Sequence, residues 1–387
     1  MKVLLISPLR ELDPPCGDIT YTETLLRHPP AGVEYETHAS ALEAGRLIEH
    51  ANRRRLWREP VVTGFNKLIN LARARRWLFW EPFRYFSIAP GSYDLVHLHV
   101  FSAAFWQIDC PLVVTSGAPQ TDLYQESRSH SQLRVSRMLR AEKILAHLMG
   151  VNSCAVTVPQ AARVMVYTEH YRDWLVSRNV IERNKIDIVP IMHDPDGRPI
   201  EPRTPNRIGF VAHDFDAKGG RVLLGAFKTV KAAAPQAELW IVGSNRPADI
   251  GDVEGVKWLG QVDRERLLRD IMPSFDVFAY PTPHDCFSYV MLEAMAAGCA
   301  IATSDYVSMP EAVDYGRAGL ISPVGDSKKL AENIITLLNP QTNLHFRLAA
   351  RARFTEYFSN DAVVPKLLQA YQSALAAAAM AKGRPFI

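Results

Sequence analysis

The chain has 387 residues, of which 48% are hydrophobic and 22% are charged. This composition excludes fibrous, collagen-like and wholly disordered proteins, and the length predicts two or three domains. The 44 basic and 41 acidic residues give a net charge of +3, which does not favour a nucleic-acid-binding protein.

The first residues predict a buried β-strand rather than a signal peptide. The apolar core of Lys2–Ser7 is too short for the hydrophobic region of a signal sequence. No stretch reaches the ~18 consecutive apolar residues that span a bilayer. The five cysteines are scattered, without the spacing of a zinc site or a disulfide framework. We therefore expect a cytoplasmic protein without structural disulfides.

A basic segment rich in aromatic residues lies at residues 53–84. It has nine basic and two acidic residues, a local charge of +7 against −4 for the rest of the chain. Pro60 and Pro82 bracket a stretch that fits one long helix with an apolar face, and tryptophan is favoured at membrane interfaces. Two interpretations stay open. We favour contact with an anionic membrane surface over a helix that buries its aromatic face within its own domain.

Short apolar runs alternate with helical patterns, which is typical of parallel sheets covered by helices. The strands predicted in the first half are Lys2–Ser7, Leu95–His99, Leu112–Thr115, Val164–Tyr167 and Ile186–Val189. The strands predicted in the second half are Arg207–Val211, Ala237–Val242, Val256–Leu259, Val277–Tyr280, Ala300–Thr303 and Gly319–Ile321. Helices are predicted at 18–27, 130–149, 220–234, 263–272, 288–298, 327–338 and 345–381.

A polar stretch with four prolines, residues 193–205, separates the two halves. Proline cannot continue a helix or a central strand, so this stretch is predicted to be a linker. We predict a first α/β domain at 1–195, a hinge at 196–206, a second α/β domain at 207–365, and a C-terminal helix and tail at 366–387. Active sites of such folds lie at the carboxyl ends of strands, and often between domains.

Two carboxylates follow the strand that is predicted to end at Tyr280. Asp285 lies in a proline-rich loop, and Glu293 lies eight residues later in a predicted helix. A carboxylate is a good acceptor for vicinal hydroxyl groups, such as those of ribose or a hexose. The alternative is that Asp285 caps the helix and Glu293 forms a surface salt bridge.

The predicted start of that helix is a candidate anion site. The backbone amides of Phe287, Ser288 and Tyr289 would have no partner within the helix, and a helix N-terminus attracts phosphate. Lys218 similarly stands beside two glycines where a helix follows the strand Arg207–Val211. A lysine there favours diphosphate binding, although the loop is not a Walker A motif and an exposed loop lysine is the alternative.

In this order, the motifs of the second half resemble those of retaining GT-B glycosyltransferases of family 4. The motifs are Lys218-Gly219, Ile241-Val242-Gly243-Ser244, Trp258-Leu259-Gly260-Gln261-Val262, Asp285 with Glu293-Ala294-Met295-Ala296-Ala297-Gly298, Pro310-Glu311-Ala312-Val313 and Gly319-Leu320-Ile321-Ser322-Pro323. They cover residues 207 to about 340. The first half resembles the family more loosely, through Gly17-Asp18, Asp94-Leu95-Val96-His97-Leu98-His99 and Val189-Pro190-Ile191-Met192-His193-Asp194.

The resemblance implies an α/β GT-B fold, with two Rossmann-like domains facing an interdomain cleft and a C-terminal helix that crosses back to the N-terminal domain. It implies an acceptor-binding first domain and a second domain that binds a nucleotide-diphospho-sugar. The expected reaction is retaining, metal-independent transfer of a hexosyl group to a glycan or lipid-linked acceptor, without a cofactor. The expected place is the inner face of the cytoplasmic membrane, where the basic segment would attach the protein peripherally.

The resemblance also assigns roles to individual residues. It implies catalytic roles for Lys218, Asp285 and His99, and no metal site. It implies contacts with the donor by His213, Lys218, Gly243, Ser244, Gly260, Gln261, Val262, Asp285, Phe287, Ser288, Tyr289, Glu293 and Gly17.

Three departures from the family pattern keep other functions open. The first acid of the E-x7-E motif is Asp285, His213 replaces an arginine, and Gly117 replaces a histidine whose role would fall to His97 or His99. These changes suggest as an alternative a catalytically inactive pseudo-enzyme or a partner subunit of a glycan-assembly complex. A nucleotide-sugar epimerase is a third hypothesis.

A metal-dependent site is a rival prediction. Asp214-Phe215-Asp216 or Asp194-Pro195-Asp196 would then bind a divalent cation and a diphosphate as a DxD motif. Lys218 lies two residues after Asp216 and could neutralise a diphosphate without a metal, so we favour the metal-free site.

Overall fold

Two parallel six-stranded sheets form the framework of the protein. The computed structural model describes residues 1–9, 17–50, 85–99, 104–105, 108–116, 140, 158, 161–177, 179–283, 285 and 287–382. The chain divides into two compact units. The first comprises Met1–Val189 and Val364–Ile387, and the second comprises Pro190–Val363. The basic segment 53–84, the predicted helix 130–149 and Gly117 lie outside the described residues.

The first unit is built on short strands that are followed by helices. Its strands are β1 (Lys2–Ile6), β2 (Glu34–Thr37), β3 (Leu47–His50), β4 (Tyr85–Ile88), β5 (Leu95–His99), β6 (Ala104–Phe105), β7 (Leu112–Ser116), β8 (Arg163–Val166) and β9 (Ile186–Ile188). Its helices include α1 (Gly17–Arg27), α2 (His38–Glu43) and α3 (Glu169–Ser177).

The main sheet of this unit has the strand order β2-β1-β5-β7-β8-β9, and a small sheet has the order β3-β4-β6. The five strands predicted from apolar runs are confirmed to within a residue or two. The edge strand β2 was not predicted, because its sequence Glu-Tyr-Glu-Thr has no apolar run. Its position beside β1 is set by the parallel pairing of Val3 with Tyr35.

The second unit repeats the alternation of strands and helices. Its strands are β10 (Arg207–Val211), β11 (Glu238–Val242), β12 (Val256–Gly260), β13 (Val277–Tyr280), β14 (Ala300–Ser304) and β15 (Leu320–Ser322). Its helices include α4 (Gly220–Ala233), α5 (Arg264–Arg266), α6 (Tyr289–Ala296), α7 (Met309–Ala312), α8 (Ser327–Leu337) and α9 (Pro340–Tyr357), and the last helix is α10 (Asn360–Lys382).

Two predicted helices differ from the structure. The stretch predicted as one helix at 345–381 forms two, α9 and α10, because Ser359 accepts a hydrogen bond from the backbone N–H of Ala362 and so caps a new helix. The stretch predicted at 263–272 begins as α5 but continues as a π-helical turn at Leu267–Ile271 and a 3-10 turn at Met272–Ser274.

The proline-rich linker is bonded throughout to the second unit. Arg351 donates to the carbonyl of Asp196, and Arg347 donates to that of Glu201. The buried carboxylate of Asp276, directly before β13, accepts the backbone N–H groups of Asn206 and Arg207. The predicted hinge 196–206 therefore lies within the second unit, and the division of the chain falls between Val189 and Pro190.

The C-terminal helix passes from the second unit to the first at Val364. Beyond that residue it packs into the first unit, where Tyr371 is fully buried. The Tyr371 hydroxyl hydrogen-bonds His97 Nδ1 of β5 at 2.7 Å and the Tyr35 hydroxyl of β2 at 2.9 Å. The last helix thus completes the core of the first unit.

Candidate active site

The second sheet has a topological switch point between its two central strands. Its order is β12-β11-β10-β13-β14-β15, so successive connections wind outward in opposite directions from β10 and β13. The loops that follow these strands diverge, and ligands of open α/β sheets bind in the crevice between them. Lys218 lies in the loop after β10 and Asp285 in the loop after β13. Lys218 Nζ lies 2.9 Å from Asp285 Oδ2, so the structure brings these two predicted residues together.

Asp285 has a second partner in Tyr280, the last residue of β13. The Tyr280 hydroxyl donates a hydrogen bond of 2.7 Å to Asp285 Oδ2. Burial of the phenol and the nearby Asp285 carboxylate raise the pKa of Tyr280 well above its ordinary value, so the phenol stays a neutral donor. The same carboxylate oxygen therefore receives one charged and one neutral donor. Asp285 does not cap a helix, because the N-cap of α6 is Ser288, whose hydroxyl accepts from the Met291 N–H.

Glycines allow the loops at this edge to approach each other. Gly219 has φ +83°, and a Cβ there would lie 2.2 Å from the carbonyl oxygen of Pro281. Gly243 has φ +89°, and a Cβ there would lie 2.7 Å from the carbonyl oxygen of Ala212. Any other residue at either position would force the loops apart. The neighbouring Ser244 hydroxyl donates to the carbonyls of the β10 loop, which fixes the turn after β11 against it.

Glu293 lies in α6 with 3% of its side chain exposed. Its Oε1 lies 2.5 Å from Arg264 Nη2 of α5 and 3.9 Å from His193 Nε2. The predicted alternative of a surface salt bridge is wrong for the acid, which is buried, although it does pair with a half-exposed arginine. A buried carboxylate with an exchangeable cation partner is suited to bind hydroxyl groups of a ligand.

The loop after β12 and the residue His213 line the same edge of the sheet. Gly260 ends β12 with φ +62°, and its carbonyl accepts the Gly243 N–H at 2.7 Å. Gln261 and His213 are exposed, and Val262 is partly buried. The structure thus places the predicted donor contacts of the second unit at adjacent strand ends. Their contacts with a donor remain predictions.

The first sheet has its own switch point between β1 and β5, and His99 and Gly17 lie there. His99 is the last residue of β5, and Gly17 is the first residue of α1, which follows β1. The His99 ring is fully buried and stacks on Tyr21 with the ring centroids 4.0 Å apart. Its Nε2 lies 3.3 Å from Asp18 Oδ1. These two residues belong to the first unit, and their catalytic and donor-binding roles remain predictions.

The two predicted DxD pairs are engaged in local contacts. Asp214 Oδ1 accepts the Ala217 N–H at 2.9 Å, and Asp216 pairs with Arg221. Asp196 pairs with Arg198, which lowers its pKa despite partial burial. Among the residues that the structure describes, no three His, Cys, Asp or Glu side chains cluster in a way that could hold a metal ion.

Sequence reasoning missed Arg264 and Tyr280 as members of the site. The sequence identifies Tyr280 as the end of a strand, but it does not show that the hydroxyl at that end donates to Asp285, five residues later. Arg264 follows Asp263, which caps α5 by accepting the Arg266 N–H at 2.8 Å. The available signal is the sequence Asp263-Arg264 directly after the Gly260–Val262 turn, because a capped turn fixes the direction of its first residue.

Residues 205–340 match the family model described as "Glycosyl transferases group 1". A phosphatidyl-myo-inositol mannosyltransferase of Mycolicibacterium smegmatis is 31% identical over 65% of this chain and 64% of its own length, slightly less than two thirds. One of Mycobacterium leprae is 26% identical over 78% of this chain and 76% of its own length.

Solved structures extend the likeness to nearly the whole chain. A sucrose-phosphate synthase from Thermosynechococcus elongatus has a TM-score of 0.60 at 20% identity, covering 97% of this chain and 99% of that one. Anabaena HepE in complex with UDP and glucose has a TM-score of 0.58 at 17% identity, covering 96% of this chain and 100% of that one. At these identities the likeness shows the fold, which is that of the GT-B proteins.

Proposed function

The chain carries a glycosyl transferases group 1 domain at residues 205–340, and from this premise we propose that it is a hexosyltransferase. It moves a hexosyl group from a nucleotide-diphospho-sugar to a glycan or lipid-linked acceptor, with retention of configuration and without a metal. The observation that carries the proposal is the Lys218–Asp285 pair at the switch point of the second sheet. This pair joins a cation suited to phosphate and a carboxylate suited to sugar hydroxyls in one crevice.

Lys218 and the first turn of α6 would receive the diphosphate. The bond from the sugar C1 to the phosphate oxygen breaks, and negative charge grows on the departing nucleoside diphosphate. The Lys218 ammonium and the amides of Phe287, Ser288 and Tyr289 at the helix N-terminus offset that charge. The acceptor oxygen forms the new bond to C1, and its proton passes to the departing phosphate. This arrangement does not require a metal ion.

Asp285 would bind a hydroxyl group of the donor sugar rather than attack C1. Its Oδ2 already accepts hydrogen bonds from the Lys218 ammonium and the Tyr280 hydroxyl. Both donors withdraw charge from the carboxylate and make it a poor nucleophile. Without a covalent sugar–enzyme intermediate, retention follows if the acceptor enters on the face that the diphosphate leaves.

Glu293 and the turns after β11 and β12 would hold the nucleoside. The buried Glu293 carboxylate accepts the two ribose hydroxyl groups. The base would lie beside Gln261 and Val262, in the turn after β12. This division of roles assigns phosphate, sugar and nucleoside to neighbouring strand ends.

Nucleotide binding and turnover test the proposal directly. Thermal unfolding is measured with UDP, GDP and ADP, and a nucleotide at about 100 times its Kd should stabilise the folded state by about 2.7 kcal/mol. Donor hydrolysis with the matching nucleotide-hexoses should persist in EDTA, and NMR of the first product should show the anomeric configuration of the donor. If no nucleotide stabilises the protein, the inactive pseudo-enzyme is the better description. Loss of turnover in EDTA would replace the metal-free mechanism with a metal-dependent one.

The acceptor is proposed to be carried by a lipid. Two relatives are named phosphatidyl-myo-inositol mannosyltransferases, which supports an acceptor at a membrane surface. Within the described part of the chain, no helix combines the length and apolar character needed to cross a membrane. We propose that the basic segment 53–84, whose charge of +7 suits anionic lipids, attaches the protein to the membrane surface.

Co-sedimentation with vesicles tests this attachment. The protein should sediment with vesicles containing anionic phosphatidylglycerol and stay in solution with neutral phosphatidylcholine vesicles. Replacing Arg73, Arg75 and Arg76 by glutamine should weaken sedimentation, whereas replacing Lys328, Lys329 and Arg317 of the second unit should not. Equal, negligible sedimentation with both vesicle types would contradict membrane attachment.

A further inference from the structure

Arg264 joins two regions that are separate in the sequence, the turn after β12 and helix α6. It follows the Gly260–Val262 turn after β12, and its guanidinium reaches Glu293 in helix α6. Arg264 Nη2 donates a short, charge-assisted hydrogen bond of 2.5 Å to Glu293 Oε1. None of the family motifs that identify the second half includes this arginine.

The backbone holds Arg264 in place for this contact. The Asp263 carboxylate caps the turn by accepting the Arg266 N–H at 2.8 Å, and the Asp263 carbonyl accepts the Leu267 N–H at 3.0 Å. Arg264 is thus the first residue of a turn that is held by two hydrogen bonds, one to the side chain of Asp263 and one to its backbone carbonyl. Its own side chain is 44% exposed, while the carboxylate that it bonds is 3% exposed.

The bond leaves one oxygen of Glu293 for a ligand. The two contacts that the structure gives for the Glu293 carboxylate, with Arg264 Nη2 and with His193 Nε2, are both at Oε1. Among the described residues, Oε2 has no hydrogen-bond partner. His193 Nε2 is 3.9 Å away, beyond hydrogen-bond distance, and the other ring nitrogen donates to the carbonyl of Asp194. Arg264 is therefore the group that fixes the rotation of the carboxylate.

We propose that Arg264 is a positioning residue for recognition of the ribose. Resting on the function proposed above, Arg264 holds the Glu293 carboxylate turned so that Oε2 faces the vicinal hydroxyl groups of the nucleoside. Because Arg264 belongs to the turn that would face the base, base and ribose binding are coupled through one side chain. Arg264 itself needs no contact with phosphate or with the hexose.

A comparison of ribose and dideoxyribose nucleotides isolates this role. The nucleotide that binds wild-type protein most tightly among UDP, GDP and ADP is titrated calorimetrically, together with its 2′,3′-dideoxy counterpart. Each lost hydrogen bond to a charged group is worth about tenfold or more in affinity, so wild type should prefer the ribonucleotide by on the order of 100-fold. Glu293→Gln should remove most of that preference.

The Arg264→Met variant provides the decisive measurement. It should reduce the preference for the ribonucleotide by about tenfold and leave the affinity for the dideoxynucleotide unchanged. In turnover, KM for the donor should rise by a similar factor with kcat little changed, and Arg264→Lys should restore part of the preference. Arg266→Met, an exposed arginine of the same turn, is the matched control and should behave as wild type. Thermal unfolding of each variant checks that it is folded.

The possible failures are distinguishable. If wild type and Glu293→Gln bind the ribonucleotide and differ as expected, but Arg264→Met keeps the full preference, the positioning role is overturned and the proposed function stands. An equal loss of affinity for both nucleotides would also overturn it, since that result indicates a contact with the base or phosphate. If wild type binds no nucleotide, the proposed function fails and this inference fails with it.

Discussion

The central polar groups of the two main sheets differ in charge and in exposure. In the second unit, Lys218 pairs with Asp285 and Arg264 pairs with Glu293, and both cations are partly exposed. In the first unit, the central polar group is the fully buried imidazole of His97. An exposed member of an ion pair can leave its partner and bind a ligand at a low cost in free energy. A buried neutral network, in contrast, loses stability when any member is removed. The difference separates groups suited to chemistry from groups that hold the fold.

The network around His97 shows the second kind of site. His97 Nε2 hydrogen-bonds the Thr115 hydroxyl, and Nδ1 hydrogen-bonds the Tyr371 hydroxyl. Burial, with a smaller contribution from the neighbouring His99, lowers the pKa of His97 well below its ordinary value. A neutral ring with both nitrogens occupied has no capacity left for a substrate. His97, one of two candidates to replace the histidine missing at Gly117, is therefore structural.

The largest effect is expected from breaking the Lys218–Asp285 pair of the second unit. Lys218→Ala removes the cation that would offset charge on the leaving diphosphate, so kcat should fall by about 10²–10³-fold. Because the Lys218–Asp285 pair is partly exposed, the free energy of unfolding should change by less than about 1 kcal/mol. Steady-state transfer assays and denaturant unfolding measure both quantities.

A matched lysine controls for charge alone. Lys228 lies on the exposed side of α4, and Lys228→Ala should retain wild-type turnover. Full activity in Lys218→Ala would remove the charged pair from the mechanism. A large loss of stability in Lys218→Ala would instead assign the pair to the fold and erase the contrast between the two units.

The next effect concerns His99, whose surroundings share features with both the charged pairs and the buried neutral network. It is as buried as His97, but it stacks on Tyr21 and its Nε2 is 3.3 Å from the partly exposed Asp18. His99→Phe preserves the stacking and removes the ring nitrogens. If His99 serves the acceptor, kcat/KM for the acceptor should fall by about 10- to 100-fold while the nucleotide Kd stays constant. Unchanged kcat/KM would place His99 with His97 among the structural residues.

The strands could be predicted because they are buried on both faces. The run Val277–Tyr280 is apolar throughout, and Leu95–His99 is apolar except for its two histidines, which is the pattern of a central parallel strand. The edge strand β2 has polar residues at alternate positions, so its sequence does not predict a strand. Its extended conformation is set by the pairing with β1. Likewise, the break between α9 and α10 depends on one Ser359 hydrogen bond within a long apolar pattern.

The site could be predicted only where a motif places residues along one segment. The spacing of Asp285 and Glu293 along one segment identifies both acids, and the position of Lys218 before a helix identifies the lysine. The Lys218–Asp285 contact joins residues 67 positions apart, and it depends on two strands being neighbours in the sheet. Arg264 was missed for the same reason, since its partner is set by packing between the α5 turn and α6.

A smaller effect should follow from opening the neutral network. Tyr371→Phe leaves His97 Nδ1 without its partner in the core and removes the bond from Tyr35. An unsatisfied buried polar atom costs about 1–3 kcal/mol, and we expect a loss near 2 kcal/mol in the free energy of unfolding. Nucleotide affinity should not change. Tyr35→Phe, which leaves the His97–Tyr371 bond intact, should cost less, and an equal cost for both would contradict the central place of His97.

The smallest expected effect is acid destabilisation through Glu36 of β2. The bond from Arg46 is the main cause that lowers the pKa of Glu36 from 4.5 to about 2, and Lys2 and Tyr93 add to it. A carboxylate whose folded-state pKa is depressed contributes stability above its unfolded pKa, and loses it as the pH falls. The contribution should therefore be complete above about pH 4.5 and disappear towards pH 2. Because the Arg46 side chain is 40% exposed, solvent screening limits it to about 1 kcal/mol.

The Glu36→Gln variant separates this contribution from that of other carboxylates. Denaturant unfolding of wild type and variant is compared at pH 7 and at pH 3. The variant should be less stable than wild type by about 1 kcal/mol at pH 7, and the difference should shrink at pH 3, where the wild-type carboxyl group begins to lose its charge advantage. A difference that stays constant between these two pH values would show that Glu36 acts through packing and neutral hydrogen bonds. The first unit would then be held by neutral contacts at its edge as well as in its core, which would strengthen the contrast with the charged pairs of the second unit.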